Sequence, residues 1–223
     1  MKENRDAWEE LYSQGDSYLK YPNEALIVTY HRIKQMLPKN IVCLDYGFGS
    51  GNNSEFIIDK VSEFYGLEIS PQAKEIATMR LNHFENFKKD NLVLSNNEFI
   101  SEFENKFDLI VAWHVLSYND DTNLHKVSDY LYRYLKKGGV LITTLATHRD
   151  ISFKHSKHIA DNTYTIGSEI ANQEGCLVVI PDTQKKFESY FSQFETIDVG
   201  HEERISYYNQ DDLHSHYYGV FKK

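Results

Sequence analysis

Only two of the 223 residues are cysteine and only four are proline. Cys43 and Cys176 both sit in apolar runs, so they read as buried thiols rather than as a disulfide framework. That usage suits a reducing compartment, and a cytoplasmic location is the expectation. Long hydrophobic runs are missing as well. Stretches such as Val140-Leu141-Ile142 fall far short of the roughly 20 apolar residues that a bilayer-spanning helix needs. The opening Met1-Lys2-Glu3-Asn4-Arg5-Asp6 is charged and leads into no apolar stretch, so neither a signal peptide nor a membrane partner is expected. Basic clusters are scarce: the net charge is −9, and Lys88-Lys89 and Lys185-Lys186 are isolated pairs. Nucleic-acid backbones are held by grouped Lys and Arg, which excludes DNA or RNA from the expected partners.

What is present points to a globular protein with one domain. Hydrophobic residues make up 41% and charged residues 26%, and the length allows a sizeable core. Sixteen tyrosines and 13 phenylalanines can fill that core and also line a small-molecule pocket.

The densest signal is Val42-Cys43-Leu44-Asp45-Tyr46-Gly47-Phe48-Gly49-Ser50-Gly51, an apolar run ending in a carboxylate and then three alternate glycines. A second acidic residue, Glu68, follows 21 positions after Gly47 and closes Phe64-Tyr65-Gly66-Leu67-Glu68-Ile69. Glycines let the backbone approach a ligand, and a carboxylate at the end of the next strand suits a ribose diol. The dinucleotide fingerprint fails because Asn52 stands where its third glycine belongs, and no G-K-[ST] follows to make a P-loop. Asp45 beside the glycines would repel phosphate but suits an ammonium group. S-adenosylmethionine carries ammonium, sulfonium, ribose and adenine, with no phosphate.

The periodicity places helices at 5–15 and from Leu26 to Leu37, both ahead of the glycine-rich strand at 41–46. Strands are predicted at 63–69, 91–95, 107–113 and 140–145. A helix begins near Asn52 or Asn53, and another is capped by Ser70 with Pro71 at its first position. A further helix is predicted over 122–136, capped by Asp121 or Thr122 and stopped by Gly138-Gly139. After a helix near 183–192, the strands Phe194–Val199 and Tyr217–Phe221 have no long helix between them, so they pair antiparallel. The boundaries are a helical cap at 1–38, a cofactor-binding core at 41–146, a polar lid at 147–175, and a closing helix and hairpin at 176–223. Loops of the lid's length in a compact domain are usually functional or disordered.

At the glycine-rich turn and Glu68 the chain resembles the class I S-adenosylmethionine-dependent methyltransferases. The resemblance implies a Rossmann-like, mostly parallel seven-stranded sheet with a C-terminal antiparallel hairpin, helices on both faces and an N-terminal helical cap. It carries Asp45, Gly47, Gly49 and Gly51 over to the methionine part of the cofactor, Glu68 to the ribose and Ile69 to the adenine face. Asn96 and Asn97 stand where relatives read the adenine amino group, and Trp113 lies in the next cofactor-contacting segment. His114 follows it, either as a base directed into the pocket or as a histidine that packs locally. Relatives often carry histidines at the positions of Ser117 and Tyr118, which this chain lacks.

Tyr18 and Tyr21 in the cap loop, and His148, Arg149 and His155 in the lid, are the candidate acceptor-side residues. His155-x-x-His158 could share one helical face as metal ligands do, but no carboxylate sits at a diagnostic spacing. No metal is therefore expected. His214-Ser215-His216 reads as exposed edge. A small-molecule acceptor and in-line methyl transfer are the expected function. Aminopropyl transfer and a non-catalytic cofactor-binding module are the alternatives, since fold alone does not fix function.

Overall fold

The computed structural model describes residues 4–15, 18–95, 98–170, 173–209 and 212–223. Two helices, α1 (Asn4–Gln14) and α2 (Glu24–Ile33), precede the first strand. The alternating core follows as β1 (Val42–Tyr46), α3 (Asn52–Ile58), β2 (Glu63–Glu68), α4 (Pro71–Leu81), β3 (Leu92–Leu94), β4 (Phe107–Ala112), α5 (Asp121–Tyr134) and β5 (Leu135–Ala146). The chain then runs through α6 (Ile151–Lys154), β6 (Ser156–Ala160), β7 (Thr163–Ile166), β8 (Leu177–Val179), α7 (Gln184–Ser189), β9 (Glu195–Ile205) and β10 (Leu213–Lys222).

Seven strands form one sheet in the order β3-β2-β1-β4-β5-β10-β9. β1, β2, β3, β4 and β5 pair in parallel, while β10 runs antiparallel to both β5 and β9. All six residues of β4 are buried, as a central strand covered on both faces requires. One core layer gathers Leu44, Ile110, Leu131 and Phe221, and the other Cys43, Ile57, Phe64 and Val111. The thiols of Cys43 and Cys176 are both buried. Among the described residues no helix is long and apolar enough to cross a membrane.

Local signals explain most boundaries. Ser70 Oγ accepts from Ala73 N at 3.0 Å, which starts α4 with Pro71 at its first turn. Asp108 anchors the start of β4, accepting from Val42 N and from Lys136 Nζ, each at 2.9 Å.

The hairpin strands β9 and β10 run longer than the sequence reading, α2 ends earlier at Ile33, and three further differences bear on the site. Asp120, one residue earlier than expected, caps α5 by accepting from Asn123 N at 2.7 Å. That helix stops at Tyr134, because Leu135 is already extended and paired with Phe107. Lys136 is thereby drawn to Asp108 instead of the helix end.

The third concerns residues 147–175, which do not form a long loop. They hold α6, β6 and β7, and β8 completes a three-stranded antiparallel sheet in the order β6-β7-β8. The turn at Asp161, with φ of 45°, reverses the chain, and Thr163 and Ile166 bury the ends of β7. This small sheet is pinned to the loop after β4 and to the start of α5: Val179 N donates to Ser117 O at 2.7 Å and Asp121 N to Thr163 Oγ1 at 2.9 Å. Polar residues dominate the stretch because most of β6 faces solvent.

Candidate active site

The strand order reverses between β1 and β4, and the carboxyl ends of the parallel strands open there into a crevice. The turn after β1 lines it. Gly47 and Gly49 take φ of 73° and 52°, in the left-handed region. A Cβ on Gly47 would lie 2.2 Å from Val115 Cγ2, and one on Gly49 would lie 2.5 Å from the Tyr12 hydroxyl. Only glycine lets the turn sit beneath α1 and beside the loop after β4.

Three bonds hold this turn against the end of β2: Gly47 N donates to Leu67 O at 2.7 Å, Phe48 N to the same oxygen at 3.4 Å, and Gly49 N to Glu68 Oε2 at 2.9 Å. Glu68 Oε1 accepts from Ile69 N at 2.7 Å and Ser70 N at 3.1 Å. Burial raises the Glu68 carboxyl above its ordinary range, while these backbone donors oppose the shift.

A cavity of about 590 Å³ extends from this point, lined by Gly47, Glu68, Ile69, Ser95, Trp8 and Tyr12 among others. Helix α1 roofs it and is tied down on two sides. Asn4 Nδ2 donates to Tyr118 O at 2.9 Å and to Leu177 O at 3.0 Å, while Leu177 N donates to Asn4 Oδ1 at 2.9 Å. On the other side Glu9 Oε2 accepts from Gln72 N at 3.2 Å. Sequence reasoning recognised an amphipathic helix here but missed its role. Asn4, Trp8 and Tyr12 carry no motif, and only the closed structure shows which face covers the cavity.

A second chamber of about 1060 Å³ shares Trp8, Tyr12, Gly47, His114 and Tyr118 with the first. His114 stands at this junction in the left-handed region, with φ of 55°. Such backbone costs of order 1–3 kcal/mol for a residue with a side chain. It is held by His114 N donating to Thr144 Oγ1 at 2.8 Å.

The tautomer follows from the neighbours. Asn23 Oδ1 caps α2, accepting from Ala25 N at 2.9 Å, so its amide nitrogen is the group 3.2 Å from His114 Nε2. Nε2 must then be an acceptor, and the proton lies on Nδ1, 3.3 Å from Thr144 Oγ1. Burial, then the nearby His216 and His214, push His114 well below the ordinary imidazole range. The structure thus presents a neutral imidazole lone pair where the two cavities meet.

The profile of the methyltransferase-domain family matches residues 18–215. The chain belongs to that family. Solved structures agree on the fold of this methyltransferase. A S-adenosylmethionine-dependent methyltransferase from Anabaena variabilis superposes with a TM-score of 0.68 at 15% identity, covering 98% of this chain and 94% of that one. The N-methyltransferase NodS of Bradyrhizobium japonicum, solved with S-adenosylhomocysteine, gives 0.64 at 14% identity, covering 98% and 99%. The 1,6-didemethyltoxoflavin-N1-methyltransferase of Burkholderia thailandensis gives 0.67 at 12% identity, covering 98% and 86%. A search of curated proteins found no match. Family and fold agree with the resemblance read from the sequence, which implies S-adenosylmethionine as the methyl donor.

The methyltransferase has a site that fits this donor, with a cavity of small-molecule size, a glycine turn closed over by α1, and Glu68 on its wall. The sequence candidates are distributed unevenly around it. Gly47, Glu68 and Ile69 line the cavity, whereas Gly49 and Trp113 line the second chamber. Asp45 lies behind the turn, accepting from Ser54 Oγ at 2.6 Å. Burial pushes its carboxyl up to about 7, with Ser54 opposing and Glu68 adding to the rise. Gly51 packs against Ala77 and lines neither cavity. Asn96 and Asn97 fall outside the described residues.

On the acceptor side, Tyr21 lines the second chamber, while the Tyr18 ring lies 4.6 Å from the Arg80 guanidinium instead. His148 stacks on Phe153 at 4.0 Å, Arg149 pairs with Glu203 at 2.6 Å, and His155 lines neither cavity. His155 and His158 share no helical face, since α6 ends before His155 and His158 lies in β6. His216 corrects a further reading: it is no exposed edge residue, for β10 places it half-buried on the chamber wall beside Asp150 and Glu202.

Substituting Glu68 by alanine removes the carboxylate that accepts from three backbone amides and lines the cavity. S-adenosylhomocysteine affinity should fall by at least about 1.5 kcal/mol, the lower end for a charged hydrogen bond. Titration calorimetry on the folded variant checks this, and unchanged affinity would displace the ribose from Glu68.

Proposed function

We propose that the enzyme methylates a small polar molecule held in the second chamber, with His114 facing the accepting atom. The observation that carries this reading is the meeting of the two cavities at the His114 imidazole. Bound S-adenosylmethionine supplies an electrophilic methyl group on a sulfonium centre. Glu68 takes the ribose hydroxyls, Ile69 packs on the adenine, and Trp8 and Tyr12 keep water from the reacting atoms. His114 Nε2 stands ready to accept a proton if the acceptor is a hydroxyl. Positioning of this kind accounts for up to roughly 7–11 kcal/mol of barrier reduction.

The chamber wall supports a polar acceptor: Asp150, Glu202, His201 and His216 stand among Tyr21, Trp113 and Tyr218. The Trp113 indole N–H is buried with no hydrogen-bond partner among the described residues, which leaves a donor for a polar ligand. A net charge of −9 argues against a nucleic-acid acceptor, and two buried thiols favour a cytoplasmic setting.

S-adenosylmethionine and S-adenosylhomocysteine should stabilise the fold by about 2.7 kcal/mol at 100 times the dissociation constant. NAD and ATP should not. Equal thermal shifts for NAD and S-adenosylmethionine would overturn the cofactor assignment. Incubating a metabolite extract with methyl-labelled cofactor should label a small molecule, and label found only in protein or nucleic acid would overturn the acceptor class.

A further inference from the structure

Three side chains from distant parts of the sequence converge on one wall of the acceptor chamber. His114, Glu202 and His216 each offer a ligand atom, and these atoms all lie within 4.8 Å of one another. Glu202 and His216 are direct cross-strand partners of β9 and β10, which puts them on one face of the hairpin. The His114 and His216 rings are 4.2 Å apart between centroids. His114 Nε2 stands 3.6 Å from Glu202 Oε1. Ligands about 2.0–2.1 Å from a tetrahedral metal ion are about 3.3–3.4 Å apart, so this edge is already close to its bound length.

The hydrogen bonding sharpens the point. Asn23 makes His114 Nε2 an acceptor, and the Glu202 carboxylate is an acceptor too. The two acceptors stand 3.6 Å apart with only the Asn23 amide donating to Nε2, and a cation between them would draw favourably on both. An outer partner of the kind that orients a ligating imidazole is within hydrogen-bond reach of His114, and a carboxylate stands near His216 beyond that reach. Thr144 Oγ1 is 3.3 Å from His114 Nδ1, and Asp150 Oδ2 is 3.9 Å from His216 Nε2 while accepting from Ser215 N at 2.8 Å.

We propose that His114, His216 and Glu202 bind a divalent first-row transition-metal ion whose open coordination positions take an oxygen of the methyl acceptor. Two imidazoles and one carboxylate suit zinc, manganese, iron or cobalt better than magnesium or calcium. Binding replaces the 3.2 Å Asn23 contact to His114 and draws His216 inward. A hydroxyl on the ion becomes acidic near neutral pH and releases its proton to water. In the loaded enzyme His114 is thus a ligand and not a base. The inference rests on the acceptor occupying this chamber. It replaces the metal-independent expectation, which weighed only His155 and His158.

The test is cobalt titration of the whole protein after chelator treatment, followed by visible absorption. One Co²⁺ per chain should give ligand-field bands, and Glu202→Gln should weaken that binding at least about 100-fold. The same variant should bind S-adenosylhomocysteine as the wild type does. Absent bands, or bands that persist in Glu202→Gln and in His216→Ala, would overturn the site and leave a shared proton as the cation between His114 and Glu202. Failure of the methyltransferase reading would look different, with S-adenosylhomocysteine unbound by the wild type.

Discussion

His114→Gly is expected to lower turnover about 10²–10⁴-fold while leaving S-adenosylmethionine affinity nearly intact. Glycine is the informative replacement, because residue 114 has φ of 55°. It removes the imidazole and its bond to Asn23 without forcing an L side chain into the left-handed region, whereas His114→Ala makes the same loss and keeps the strain. The glycine variant should melt no lower than the alanine variant. Both should lose turnover together, since the imidazole faces the acceptor whether it takes a proton or holds an ion. Turnover in the folded fraction, measured beside cofactor titration, separates these effects. Normal turnover in His114→Gly would make His114 a packing residue.

Gly47→Ala should damage cofactor binding more than any other single methyl group added to the glycine turn. Its Cβ would approach Val115 Cγ2 to 2.2 Å and Val115 Cβ to 2.7 Å, and φ at 73° is itself unfavourable for alanine. The left-handed backbone costs roughly 1–2 kcal/mol and forced overlap about 1–3 kcal/mol. Their sum is divided between stability and the shape of the turn, so cofactor affinity should fall by at least about tenfold. Gly138→Ala is the control. Its φ of 82° imposes similar backbone strain, but nothing lies within 4 Å of the added Cβ. Wild-type affinity in Gly47→Ala, by calorimetry on folded protein, would remove this turn from the cofactor site.

The fold was legible because its signals are local. Alternating strands and helices, the Ser70-Pro71 helix start and the glycine turn at Gly47 each act within a few residues. The parallel order and the closing antiparallel pair then follow from right-handed crossovers and from the missing helix before β10. The small sheet of β6, β7 and β8 was hidden because exposed strands are polar, and polarity alone resembles a loop.

The acceptor side was hidden for a different reason. His114 could be named from its place after a central strand, but its partners come from Asn23, Thr144, Glu202 and His216. No spacing rule joins positions so far apart, and the last two meet only once the hairpin closes. Likewise Trp8 and Tyr12 show an amphipathic period in the sequence, while the cavity they cover appears only when Asn4 and Glu9 tie α1 down.

The most direct test is a crystal structure with S-adenosylhomocysteine bound. The ribose hydroxyls should lie on Glu68, the adenine against Ile69, and the sulfur should face the junction where His114 separates the two cavities. A sulfur directed away from His114, or an adenosine seated in the second chamber, would contradict the account.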